Sequence, residues 1–161
     1  MTTEAKRPTT GLFPHIVLDG ASDAIEFYKK AFGAEEMMRL AGDNGRIMHA
    51  SVSINNGVLM MVDENKDYGI IGPKSLGGAP LTLHLTVPDV DASFARAVDA
   101  GGTPIMPPTD MFWGDRYGMI EDPFGYRWAM ATTKQNLTVE QIKENAKKQM
   151  PDYAQDDGVK S

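Results

Sequence analysis

Three histidines and a Trp113-Gly114-Asp115-Arg116 run hold most of the chemistry open to this 161-residue chain. Imidazole titrates near neutrality, so a histidine in a pocket can act as a general base or as a metal ligand. His15 and His84 fall in matching contexts, each inside a short strand-like run (12–18 and 81–87). His49 shares a face with Ser51 and Ser53 and reads as an edge or surface residue. Arg116 offers a bidentate clamp for an anionic ligand group. It can equally pair with Asp115, Glu121 or Asp122 to hold the chain locally, and the pairing role is favoured. Trp113 and Phe112 offer stacking surfaces for a flat ligand, although packing is the commoner fate of aromatics. The chain has no cysteine, which excludes disulfides and thiolate metal sites and fits a reducing cytoplasm.

These residues need elements to position them. Residues 12–18 alternate, with Phe13, His15 and Val17 on one face and Pro14, Ile16 and Leu18 on the other. A helix follows, with Asp23 and Glu26 as a capping pair and Gly33 as the stop. Strands are expected over 35–41, 47–55 and 58–63, separated by Asp43-Asn44-Gly45 and Asn55-Asn56-Gly57 turns. Residues 64–80 are rich in glycine and proline and read as a connection, or a flap over a cleft. The pattern then restarts: a strand at 81–87, a helix at 89–100, a short strand at 103–106, and a closing hairpin of 117–121 and 126–132. His15 and His84 are 69 positions apart, Phe27 and Phe94 67, and Gly33 and Gly101 68. The chain therefore reads as two β-α-β-β-β repeats. The expected division is a flexible 1–10, a first module at 11–63, a linker at 64–80, a second module at 81–133, and a helix with a mobile tail at 134–161. Thr138 and Gln141 form a capping box for that last helix, and Pro151 ends it.

The closing hairpin is the most specific stretch. Trp113-Gly114-Asp115-Arg116, then Glu121-Asp122-Pro123-Phe124-Gly125 and an apolar strand, resembles the last hairpin of the vicinal oxygen chelate superfamily. That superfamily includes glyoxalases, bleomycin-resistance proteins and extradiol dioxygenases, and the likeness is strongest to its PhnB-like branch. The resemblance spans about residues 12–133. It implies an α+β fold in which two βαβββ modules form a half-open mixed-sheet cup, here with an added C-terminal helix. Fold alone does not set the chemistry.

In metal-dependent members of that superfamily, four side chains point into the cup from the first and last strands of the two modules. Transferred to this chain, those positions fall on Phe13, Met60, Thr82 and Ala129. None suits a hard or borderline cation. His15 and His84 each lie two residues further along, on the same faces. The resemblance thus implies a cup lined by Phe13, His15, Val58, Met60, Thr82, His84 and Ala129. On the last strand Arg127, Ala129 and Ala131 should face inward, and Trp128 and Met130 should face the helices. The expected protein binds a small, partly hydrophobic molecule without metal or other cofactor, with Trp113 and Arg116 as further ligand contacts. The alternative is a lyase, isomerase or dioxygenase-type enzyme using His15 and His84 as catalytic residues, with or without a divalent metal.

Bulk properties narrow the partners. A formal net charge of −6 argues against nucleic acid. The first residues are polar with no apolar core behind them, and the longest apolar run is too short to span a bilayer, so a soluble cytoplasmic protein without membrane contact is expected. A homodimer is expected, since symmetric dimers are the commonest oligomers. Pairing of the modules within one chain or across such a dimer stays open at this level.

Overall fold

The computed structural model describes residues 9–152. The expected flexibility of 1–10 and mobility of the tail fall almost wholly outside that range. Eight strands and four helices follow in the order β1 (His15–Leu18), α1 (Ala21–Phe32), β2 (Glu35–Ala41), β3 (Ile47–Ile54), β4 (Gly57–Asp63), α2 (Pro73–Leu76), β5 (Thr82–Thr86), α3 (Val90–Asp99), β6 (Thr103–Asp110), β7 (Asp115–Glu121), β8 (Arg127–Thr133) and α4 (Val139–Gln149). They build two mixed sheets of identical topology, β1-β4-β3-β2 and β5-β8-β7-β6. In each sheet the first strand runs parallel to the last and the other pairs are antiparallel. The protein is thus α+β, with two βαβββ modules and a C-terminal helix.

One face of each sheet carries the core. Ile16, Leu18, Leu59 and Met61 in the first sheet, and Leu83, Ile120, Trp128 and Met130 in the second, are buried together with the apolar faces of α1 and α3. The two helices lie against each other. Arg96 of α3 donates to the carbonyls of Lys30 at 2.7 Å and Lys29 at 3.3 Å. A cation thus sits on the C-terminal end of α1, where the helix dipole favours it. The two modules of the chain are therefore packed on each other through α1 and α3.

Several local expectations change. Asp23 and Glu26 do not cap α1. The helix starts three residues earlier than that cap implies, after Gly20 at φ 93, and no side chain within it caps it. The carboxylate of Asp63, at the end of β4, accepts from Gly20 N and Ala21 N, both at 2.9 Å. In the second module Thr132, 69 positions later, accepts from Val90 N at 2.8 Å at the start of α3. Strand β6 does not stop at Met106 but runs on through Pro107 and Pro108 to Asp110, with register shifts. It is an edge strand, where a missing N–H is tolerated. Residues 64–80 are ordered against the body. Glu64 accepts from Gly72 N and Ser75 Oγ, and Pro73 is buried. The Thr138–Gln141 capping box forms with both of its hydrogen bonds.

Among the described residues, no helix is long and apolar enough to cross a membrane.

Candidate functional site

The helix-free faces of the sheets hold the candidate site. Strand alternation sends Ile16 and Met61 into the core, so His15 and Met60 project to the opposite side. The same alternation sends His84 and Ala129 away from Leu83, Trp128 and Met130. His15 stands beside Met60 across the parallel β1–β4 pair, and His84 beside Ala129 across β5–β8. These two pairs are separated by the same 69 positions as the histidines themselves. Trp128 and Met130 join the core as expected, and Arg127, Ala129 and Ala131 alternate with them; of these five, Trp128 is the one that reaches the cleft between the modules.

Between the chain entering β1 (12–14), the β3–β4 turn and β5 lies an open cleft of about 400 Å³. Phe13, Val58, Thr82 and His84 line it, with Leu12, Leu81 and Leu85 among the neighbouring apolar groups. The cleft thus gathers four of the residues singled out from the sequence. His15, Met60 and Ala129 share the helix-free faces but are not part of its wall. The 64–80 segment, read from sequence as a connection or a flap, is also absent from that wall.

His84 has Tyr117 beside it, ring centroids 6.0 Å apart, and Tyr117 meets Trp113 edge-on at 5.6 Å. A run of three rings therefore leads away from the cleft across the second sheet. The Trp113 indole donates to Asp115 Oδ2 at 3.1 Å, which fixes its orientation. Gly114 turns there at φ 102, and a side chain would collide with the Gln135 carbonyl. Asn145 of α4 donates to the Phe112 carbonyl at 3.1 Å, so the C-terminal helix braces the same loop. Tyr117 was missed by sequence reasoning. Its pairing with Ala131 places it inward, and the period of two through Tyr117, Met119 and Glu121 carried that signal. Partial burial pushes its phenol pKa up.

Arg116 is not placed to clamp a ligand in the cleft. Its neighbours on β7 alternate, and it faces α3, where its guanidinium donates to both carboxylate oxygens of Asp91 (2.8 and 3.0 Å) and to Asp110 at 3.2 Å. The bidentate pair holds the Asp91 carboxyl below its usual range and raises the guanidinium further. The structural role favoured from sequence is the one seen, but its partners are Asp91 and Asp110.

Asp122 proves to be more than a turn residue. It is 4% exposed, yet it accepts four hydrogen bonds, from Phe124 N, Tyr126 N and Trp128 Nε1 at 2.9 Å and from Tyr28 Oη at 2.8 Å. Burial pushes its pKa up, and the four donors pull the other way. The Asp-Pro-Phe-Gly turn is thereby locked to α1 of the other module.

The donor set does not fit the divalent metal of metal-dependent vicinal oxygen chelate proteins. The four positions hold a phenyl ring, a thioether, a hydroxyl and a methyl group. Among the described residues, no three His, Asp or Glu side chains come together in a way that could hold an ion.

Comparison with known proteins agrees with this geometry. The family model for the Glyoxalase/Bleomycin resistance protein/Dioxygenase superfamily matches residues 13–130. An uncharacterized protein of Mycobacterium tuberculosis (strain H37Rv) is 43% identical over 134 residues, covering 81% of this chain and 79% of that one. The X-ray structure of a gene product from Arabidopsis thaliana superposes with a TM-score of 0.64 at 27% identity, over 77% of this chain and 99% of that one. The PhnB protein from Bacillus cereus superposes with a TM-score of 0.59 at 17% identity, over 76% and 99% of the two chains, which shows a shared fold.

Proposed function

Since the chain belongs to the glyoxalase/bleomycin resistance protein/dioxygenase superfamily, we propose that it is a metal-independent member that holds a small, partly aromatic or hydrophobic molecule in the cleft between its modules. The observation that carries this reading is the cleft wall. Phe13, Val58, Leu81 and Leu85 supply apolar surface, while Thr82 and His84 supply polar anchors. Small-molecule sites are commonly clefts of this size and character. Binding of this kind needs no bond-making residue, so sequestration of the ligand is sufficient as a function. The working form is a homodimer, the commonest symmetric assembly, and the cysteine-free composition suits a reducing cytoplasm.

A thermal-shift screen of small planar and hydrophobic compounds tests the proposal, run on chelator-treated protein and on protein dialysed against Zn(II), Ni(II), Mn(II) or Fe(II). The expected result is a hit whose shift is the same in every preparation. A hit that disappears on chelation would overturn metal independence.

One observation favours a second reading, an enzyme of the lyase, isomerase or dioxygenase type. His84 lines the cleft with the Tyr117 phenol beside it, so an imidazole is available as a general base. His84→Ala should then abolish turnover of a cleft ligand while leaving the melting temperature in place. Normal turnover in that variant would remove this mechanism.

A further inference from the structure

The first module carries a second arrangement of chemistry-bearing groups, outside the cleft. His15 on β1 and His49 on β3 belong to strands that are not neighbours, because β4 runs between them. Strands two apart in a sheet are separated by roughly 9.5 Å. The two imidazoles nevertheless lean together until their centroids are 5.7 Å apart, at 59°. Two imidazoles bound to one ion through N–metal bonds of about 2.0–2.1 Å have centroids no more than about 6.4 Å apart. The observed spacing lies within that limit. The intervening strand carries Met60, which stands opposite His15 on one side and, on the other, opposite Ser51, two residues along β3 from His49. Ser51 in turn stands opposite Met38 on β2, so a second thioether lies in the same row. Met60, Met38 and His49 are half-buried, and His15 is exposed at the rim.

We propose that His15, His49 and Met60 form a binding site for monovalent copper on the helix-free face of the first module. Ligand chemistry makes the choice of ion. Thioethers are soft donors that select Cu(I), and imidazole suits copper equally well. Zinc, manganese and iron favour sites completed by thiolate, carboxylate or a third imidazole, and no such triad of His, Asp and Glu forms among the described residues. None of the three proposed ligands lines the cleft, so this site goes beyond small-molecule binding there.

The test is an anaerobic titration of the purified, ligand-free protein with Cu(I) in competition with bicinchoninate, together with copper K-edge X-ray absorption. One Cu(I) per chain is expected, with a sulfur scatterer in the absorption spectrum. His15→Ala, His49→Ala and Met60→Leu should each weaken binding at least tenfold without a matching fall in melting temperature, because these side chains face away from the core. Met150→Leu, which removes an exposed thioether just past α4, should change nothing. Copper affinity no different in the His15→Ala/His49→Ala double variant would overturn the site. So would full retention of copper by Met60→Leu, or tighter binding of Zn(II) than of Cu(I) by the wild-type protein. No compound from the cleft screen is added in any arm, so failure of the cleft as a binding site leaves this result readable.

Discussion

The Tyr126 hydroxyl donates a 2.8 Å hydrogen bond to the Val17 carbonyl, 109 positions earlier in the chain. Its counterpart runs the other way, with Asn55 Nδ2 donating to the Thr86 carbonyl at 3.1 Å. Val17 and Thr86 are equivalent residues on the opening strands β1 and β5. The last hairpin of each module therefore ties down the opening strand of the other. None of these four residues lines the cleft, so the two bonds act on it through the placement of β1 and β5. Tyr126→Phe removes one of them at a nearly buried site and should cost about 0.5–1.5 kcal/mol. Asn55→Asp should act in the same direction with a smaller effect, since its carboxylate cannot donate, aspartate tolerates the φ of 45 there, and the site is exposed. Urea denaturation of both variants checks this, and a cleft ligand should bind more weakly to each.

Asp122 is the second tie, reaching Tyr28 of α1 as well as its own hairpin. Asp122→Asn keeps size and shape but places an amide N–H₂ where one carboxylate oxygen was. Tyr28 can rotate its hydroxyl to accept. The Trp128 indole is a donor only and cannot adapt. Whichever way the amide is turned, a buried donor loses its acceptor, at a cost of about 1–3 kcal/mol. Asp122→Ala should cost more, since all four donors are then unmatched. Thermal denaturation followed by tryptophan fluorescence would report both variants. An Asn variant as stable as wild type would mean that the four hydrogen bonds contribute nothing net.

How far the sequence revealed this structure depends on the reach of each interaction. Strand alternation and helix spacing are local, so the repeat, the Asn55-Asn56 turn and the alternation along β8 were legible. The start of α1 was not, because its cap is Asp63, 42 positions from Ala21. A local pattern in Asp23 and Glu26 competed with it and misled. Arg116 had three acidic neighbours in sequence, and its main partner, Asp91, lies 25 positions away on another element. His49 looked like a lone edge histidine because its approach to His15 depends on strand order, which alternation alone does not encode. Tyr117 was legible in principle, through the same period of two that placed Ala129 and Ala131.

The outer surface of α1 is bound to β2 by charge. Arg39 makes two 2.9 Å hydrogen bonds to Glu36, and Lys29 bridges Glu26 and Glu36 at 3.0 Å. The Arg39 fork, followed by Lys29, holds the Glu36 carboxyl below its usual range. A carboxyl with a depressed folded-state pKa contributes stability above its unfolded value, and loses that contribution as pH falls through the folded one. Stability should therefore decline on acidification below about pH 4.5, the onset set by the unfolded carboxylate. Arg39→Ala should flatten that decline and lower stability slightly at neutral pH. High salt should reduce the difference between the two proteins, because the pairs are partly exposed. Urea midpoints measured across that pH range, at low and high ionic strength, provide the check.

Filling the cleft separates binding from stability. Thr82 lies on the exposed side of β5, in the wall shared with Phe13 and Val58. Thr82→Trp would push an indole into a space of about 400 Å³ without displacing any core residue. An exposed substitution of this kind usually shifts stability by no more than about 0.5 kcal/mol, so the melting temperature of the free protein should hardly move. The ligand-induced shift should vanish, because the indole takes up apolar surface that the ligand would otherwise cover. Thr109→Trp is the control, an equally exposed threonine on β6 away from the cleft, and it should bind as wild type does. If Thr82→Trp retained the full shift, the ligand would be seated elsewhere on the helix-free faces. The run of His84, Tyr117 and Trp113 would then be the first place to substitute.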